Sequence, residues 1–166
     1  MARALGEFSC SKKGMKKNRD PRIMSAAREL GRPAVRVFEV NDLRGPDGKH
    51  WVGAVSYKER MVAIAKGLNK RDRCLTAVHE MGHLKVKETD YQFGGARFGK
   101  ELKKTKMYSY LKKEGYPSWK IPEEAFAEYY ARSRCCRGNE EGNLSKFRKK
   151  YPLVSRKFDV LAERRL

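Results

Sequence analysis

His79 and His83 stand four residues apart with Glu80 directly after the first, in the run His79-Glu80-Met81-Gly82-His83. On a helix, side chains at i and i+4 share a face, so both imidazoles reach one metal ion while the carboxylate between them points toward its open side. The chemistry this arrangement serves is hydrolysis by metal-activated water, with zinc as the ion and Glu80 as the general base. The chain has only 3 histidines, so chance is a weak rival for such spacing. A stronger rival is a helix with two ordinary polar histidines. The flanks count against it, because Leu75, Ala77, Val78, Gly82 and Leu84 make an apolar, small-residue surface suited to burial. Two histidines and a glutamate buried there without an ion would lack partners.

A catalytic zinc takes three protein ligands and keeps one position for water. No histidine follows His83, which removes every plan with a third downstream histidine, including that of the SprT-like DNA-repair proteases. The remaining plan is a glutamate on a second helix. Residues 122–131, Pro-Glu-Glu-Ala-Phe-Ala-Glu-Tyr-Tyr-Ala, place Glu124 and Glu128 one turn apart on one face. One of them can ligate while the other holds a histidine from behind. Glu123 reads as a helix-start acid favoured by the macrodipole.

The Glu-x-Phe-Ala-Glu run at 124–128, after His79-Glu80-x-Gly82-His83 and before a Lys/Pro-containing terminal helix, resembles the catalytic domain of the anthrax lethal factor group and related Pro-Pro endopeptidases. The resemblance covers residues 74–160; before that, only the generic zincin pattern matches. It implies a zincin-like α+β fold: a small N-terminal mixed sheet packed on the active-site helix, then a mainly helical C-terminal subdomain. It also implies that His79, His83 and Glu124 are zinc ligands, Glu80 the base, Glu128 a supporting neighbour and Tyr116 the group that stabilises the oxyanion. The immunity-repressor peptidases carry a related helix, Glu-x-x-Ala-Asn-x-Phe-Ala. This chain lacks the Asn and has a longer gap, so that group ranks second.

The elements that must position these residues are legible in outline. Residues 1–21 are basic and read as an arm, leaving 22–166 as one domain. A short helix ending near Gly31 precedes an alternating strand at 34–40 and a turn-rich stretch at 41–49. Strands at 51–57 and 60–65 are separated by Lys58-Glu59 as a hairpin or a bulge. The second of these is the expected edge to which an extended substrate adds. Asp72 is the candidate N-cap of the histidine helix. Residues 88–100 read as a glycine-punctuated loop and 100–113 as a basic helix with Met107, Tyr108 and Leu111 on its apolar face. Ser118 is a candidate cap, Pro122 suits a first turn, and that helix runs to about residue 134. A turn at 138–142 leads to a basic helix pair split near Pro152.

At 166 residues the chain is long enough for one domain with a real core. Lys and Arg number 39 against 20 Asp and Glu, a formal charge of +19. Solubility does not require that excess, so beside a protein or peptide substrate we expect a polyanionic partner, nucleic acid included. A rival class follows: a nucleic-acid-associated structural component of a virion or ribonucleoprotein, with catalysis secondary or lost. Cys10, Cys74, Cys135 and Cys136 form no Cys-x-x-Cys pairs, and a bridge between the adjacent two is strained. Reduced thiols in a cytoplasmic or intravirion setting are the simplest expectation. The N-terminus lacks a signal-peptide pattern and no stretch is apolar enough to span a membrane, so no membrane partner is expected.

Overall fold

The computed structural model describes residues 15–135 and 139–164. Of the expected arm over 1–21, residues 1–14 lie outside the described residues, as do Cys10 and Cys136. Among the described residues the fold is α+β, with four strands and seven helices. In order these are β1 (Lys16–Lys17), α1 (Pro21–Glu29), β2 (Arg36–Val40), β3 (Gly53–Ser56), β4 (Met61–Ala65), α2 (Lys70–Glu88), α3 (Ala96–Lys103), α4 (Lys106–Lys113), α5 (Ile121–Cys135), α6 (Asn139–Lys150) and α7 (Pro152–Glu163). No helix among the described residues is long and apolar enough to cross a membrane.

The sheet is mixed, with strand order β1-β2-β4-β3. β2 runs parallel to β4, with Val37 opposite Val62, while β3 and β1 join antiparallel. Period-two alternation explains its two faces. Val37, Val55, Val62 and Ile64 point into the main core, and Val40, Ala54 and Ala63 pack with Leu43 and Trp51 on the other side. β4 is therefore an inner strand and β3 an edge, which corrects the expectation that residues 60–65 form the edge. A hairpin places the later strand inside because β4 also satisfies the parallel ladder to β2, which β3 lacks. Lys16 and Lys17, read as part of an arm, pair with Glu39 and Phe38. Between β3 and β4, Arg60 adopts a left-handed φ of 45°. Its guanidinium accounts for that geometry, donating to the carbonyls of Leu30 and Pro33 and to Glu88.

The histidine helix begins earlier than expected. Asn69, not Asp72, is its N-cap, accepting from the Asp72 N–H at 2.9 Å while its amide donates to the Asp72 carboxylate at 2.7 Å. This reciprocal pair resembles a capping box, with an acid three residues after the cap. The expected basic helix over 100–113 is two helices, broken at Lys104-Thr105, where the Thr105 hydroxyl caps α4 through Tyr108 N–H at 3.0 Å. Ser118 does not cap α5; it lies in the turn that precedes it. α6 starts at Asn139, inside the stretch read as a turn.

α2 and α5 form the centre of the molecule and lie antiparallel, since Cys74 meets Cys135 and Gly82 meets Ala127. Both helices are buried along most of their length against α1, α7 and the sheet. Cys74 and Cys135 are disulfide-bonded with a Cα–Cα distance of 5.9 Å, so the expectation of reduced thiols fails for this pair. Spacing along the chain could not show it: the two cysteines are 61 residues apart and meet because their helices pack. The bond also removes the argument for a reducing compartment that rested on those thiols.

Two outcomes follow from this packing. A Cβ at position 82 would stand 2.8 Å from the Ala127 Cα, so Gly82→Ala must push α2 off α5. We expect a loss of about 1–3 kcal/mol in denaturant unfolding. Replacing Cys74 and Cys135 together by Ser should lower stability under non-reducing conditions by about 4 kcal/mol, as closure of so long a loop implies. An unchanged unfolding midpoint would show that the bond does not constrain the chain.

Candidate metal centre

α2 and α5 each supply part of one cluster. The His79 and His83 rings lie one turn apart on α2, with their Nε2 atoms 3.1 Å from each other. The Glu124 Oε2, from the first turn of α5, is 3.5 Å from both. All three side chains are buried, and their nearest ligand atoms fall within 4.8 Å of one another. This group can hold a metal ion. Antiparallel packing brings the last turns of α2 against the first turn of α5, so a glutamate at the start of one helix reaches histidines late in the other.

The outer nitrogen of each imidazole faces a carboxylate. His83 Nδ1 lies 2.6 Å from Glu123 Oε1. His79 Nδ1 lies 3.8 Å from Glu128 Oε1, an ion-pair distance that is too long for a hydrogen bond. Glu128 thus stands where the resemblance implied, but the shorter bond comes from Glu123, which the sequence reading treated as a simple helix-start acid. A count of needs would have found it. Two ligand histidines call for two orienting carboxylates, and this helix offers Glu123 and Glu128 once Glu124 has turned inward. Glu123 is itself held by Lys120, whose buried Nζ is 3.3 and 3.4 Å from its two oxygens.

Glu80 lies at full burial beneath β3, where the absence of a side chain at Gly53 makes room: a Cβ there would come within 3.0 Å of Glu80 Oε1. Neither Glu80 oxygen nor either Glu124 oxygen has a hydrogen-bond partner. Four buried carboxylate oxygens without a hydrogen bond, the Glu80 pair above all, are costly unless a cation or bound water meets them. When His83 is neutral and donates its Nδ1–H in a hydrogen bond to Glu123, its Nε2 turns a bare lone pair toward His79 and Glu124. These donors fit a metal ion on their own chemistry.

The electrostatics agree. Burial raises the Glu80 carboxyl, with the neighbouring His83 and His79 pulling the other way. Burial alone would also raise Glu124, but the imidazoles of His79 and His83 override it and bring that carboxyl to about 2. For His83, burial opposes the charged form, yet Glu123 and Glu124 outweigh it and carry the ring to about 10. The metal-free protein thus stores a proton where a ligand lone pair is needed.

Tyr116 lies half-buried in the turn after α4 and packs against the main core. Tyr57, which directly follows β3, is a second tyrosine, and it feels the site's carboxylates. Its hydroxyl is pushed up by burial and then by Glu123, Glu80 and Glu124. Sequence reasoning passed over Tyr57 because nothing along the chain links a hairpin turn to residues of a later helix.

The chain matches no protein-family model, no curated protein and no solved structure.

Near neutral pH, metal uptake must expel the His83 proton. In the metal-free state this raised pKa contributes stability that is fully present below the unfolded value of 6.5 and is lost as pH rises through about 10. We therefore expect binding of a divalent metal ion to release about one proton and to tighten with pH. Titration calorimetry in buffers of different ionisation enthalpy reads that proton directly; uptake without release would remove His83 from the ligand set.

Proposed function

We propose that the protein is a zinc-dependent endopeptidase of the glutamate-completed zincin type. The observation that supports this best is the convergence of two imidazole nitrogens and the Glu124 carboxylate beside a second buried carboxylate, Glu80, that has no partner of its own. Two nitrogens and one oxygen are the donor set of catalytic zinc sites that keep a position for water. The resemblance to the anthrax lethal factor group points the same way and assigns the same residues.

His79, His83 and Glu124 would hold the zinc ion, which would supply Lewis acidity and bring the pKa of the attacking water down to about 7. Glu80 takes a proton from the attacking water at its carboxylate and returns it to the departing amine. Burial suits Glu80 to this exchange, because a raised pKa lets it hold a proton between the two transfers. Glu123 and Glu128 orient His83 and His79 from behind, and Lys120 steadies Glu123. Tyr116 stabilises the developing oxyanion, the role the resemblance implies for it, while burial and then the neighbouring carboxylates keep the Tyr57 hydroxyl protonated. An extended substrate pairs with the open edge of β3, whose Gly53 lies over Glu80.

The charge of +19 favours a second reading, a basic structural component of a nucleic-acid assembly in which hydrolysis is secondary or lost. One assay separates the two. Chelator-sensitive cleavage of a mixed peptide library by the zinc-loaded chain is the expected result, and stoichiometric zinc without cleavage would favour the structural reading. Glu80→Gln should keep its zinc, measured by atomic absorption, and lose turnover by about 10²–10⁴-fold. Retained hydrolysis in that variant would sink the mechanism.

A further inference from the structure

A cleft of about 750 Å³ opens between α4, α5 and α6. Its volume is in the range of ligand-binding pockets. The floor is apolar: Met107 from α4, Tyr129 from α5 and Phe147 from α6 line it, with Tyr151 just beyond. The two tyrosine hydroxyls are engaged elsewhere, Tyr129 donating to Asp159 at 2.6 Å and Tyr151 to the Lys104 carbonyl at 3.0 Å. Both residues are buried, so the half-buried Met107, Leu144 and Phe147 are the apolar surface an occupant meets.

The rim is cationic. Lys106, Arg132, Lys146 and Lys150 are exposed around it. Lys106 and Lys146 have no hydrogen-bond or ion-pair partner among the described residues. Lys150 lies over the Tyr151 ring at 5.6 Å. Among the described residues the one acid in the lining is Glu128, whose Oε2 accepts from Arg132 Nε at 3.3 Å and whose Oε1 faces His79. Glu128 thus belongs both to the cleft wall and to the support of the metal ligands. The cleft is joined to His79 through the Glu128 carboxylate.

We propose that this cleft is the specificity pocket of the enzyme and takes an acidic, partly apolar segment of the polypeptide to be cut. Unpaired lysines above an apolar floor match alternating acidic and aliphatic side chains, and Asn143 at the rim offers a backbone-like donor and acceptor. Nucleic acid fits the same rim less well. Single strands need successive open ring faces on which to stack, whereas Tyr129 and Tyr151 are buried and only Tyr110, at 56% exposure, is well presented. The assignment rests on the peptidase reading, because it names that enzyme's substrate class.

The test uses the full-length, zinc-loaded Glu80→Gln chain, so that binding is read without turnover. Fluorescence anisotropy compares a labelled peptide of alternating Glu and Leu, its Gln isostere and an oligothymidylate. We expect the acidic peptide to bind about tenfold tighter than the isostere, and Lys106→Glu with Lys146→Glu to abolish that preference. Both lysines are exposed, so unchanged zinc content and melting temperature are expected to accompany the loss. Equal affinity for the two peptides overturns the proposal, as does an oligothymidylate whose binding those substitutions weaken more than the peptide's. General peptide cleavage by the native chain is assayed in parallel. Cleavage with no acidic preference overturns the pocket alone, whereas acidic binding with no metal-dependent cleavage overturns the peptidase reading and with it the pocket's role as a substrate site.

Discussion

The close approach of α2 to α5 at Gly82 is the contact on which the site depends. A hydrogen at position 82 lets the Ala127 backbone come where any Cβ would collide, and this near contact lies one residue from His83. Move the helices apart by a methyl group and Glu124 no longer reaches both imidazoles. The Cys74–Cys135 bond ties the same two helices farther along, near the start of α2 and the end of α5. The ligand set is therefore held between a point of tight packing and a covalent tie.

Burying so many ionisable groups has an electrostatic consequence. Glu80, Glu123 and Glu124 sit among His79, His83 and Lys120 with little water to screen them. Without a metal, the charge balance is met by protonating His83, which explains why that ring is carried to about 10 while Glu124 falls to about 2. A cation in the centre does the same work and frees the proton. The same cluster acts on Tyr57 across the hairpin turn, so the sheet and the helices share one field.

The parts of this design that are readable along the chain are those set by short-range geometry. The i, i+4 spacing of His79 and His83 places both rings on one face wherever that helix lies, and the spacing of Glu124 and Glu128 does so again on α5. Alternation in residues 34–40 and 60–65 likewise announces strands. The missed features have a common cause. Asn69 displaced Asp72 as the cap through a pairing three residues long, and Thr105 broke a helix that looked continuous, each a local side-chain bond competing with a periodic pattern.

The sequence by itself determined a His-Glu-x-x-His spacing able to ligate a metal ion, the glutamate helix able to complete it, an α+β order of elements and a strongly basic composition, because each follows from neighbours a few residues apart or from composition. Only the tertiary structure decided that β4 lies inside the sheet and β3 at its edge, that Cys74 meets Cys135, that Glu123 makes the short bond to His83 and that Tyr57 feels the charge of carboxylates on later helices. Each of these is a meeting between distant segments. Such meetings are set by which faces pack and in what register, and helical or strand periodicity fixes the faces of an element without fixing its neighbour.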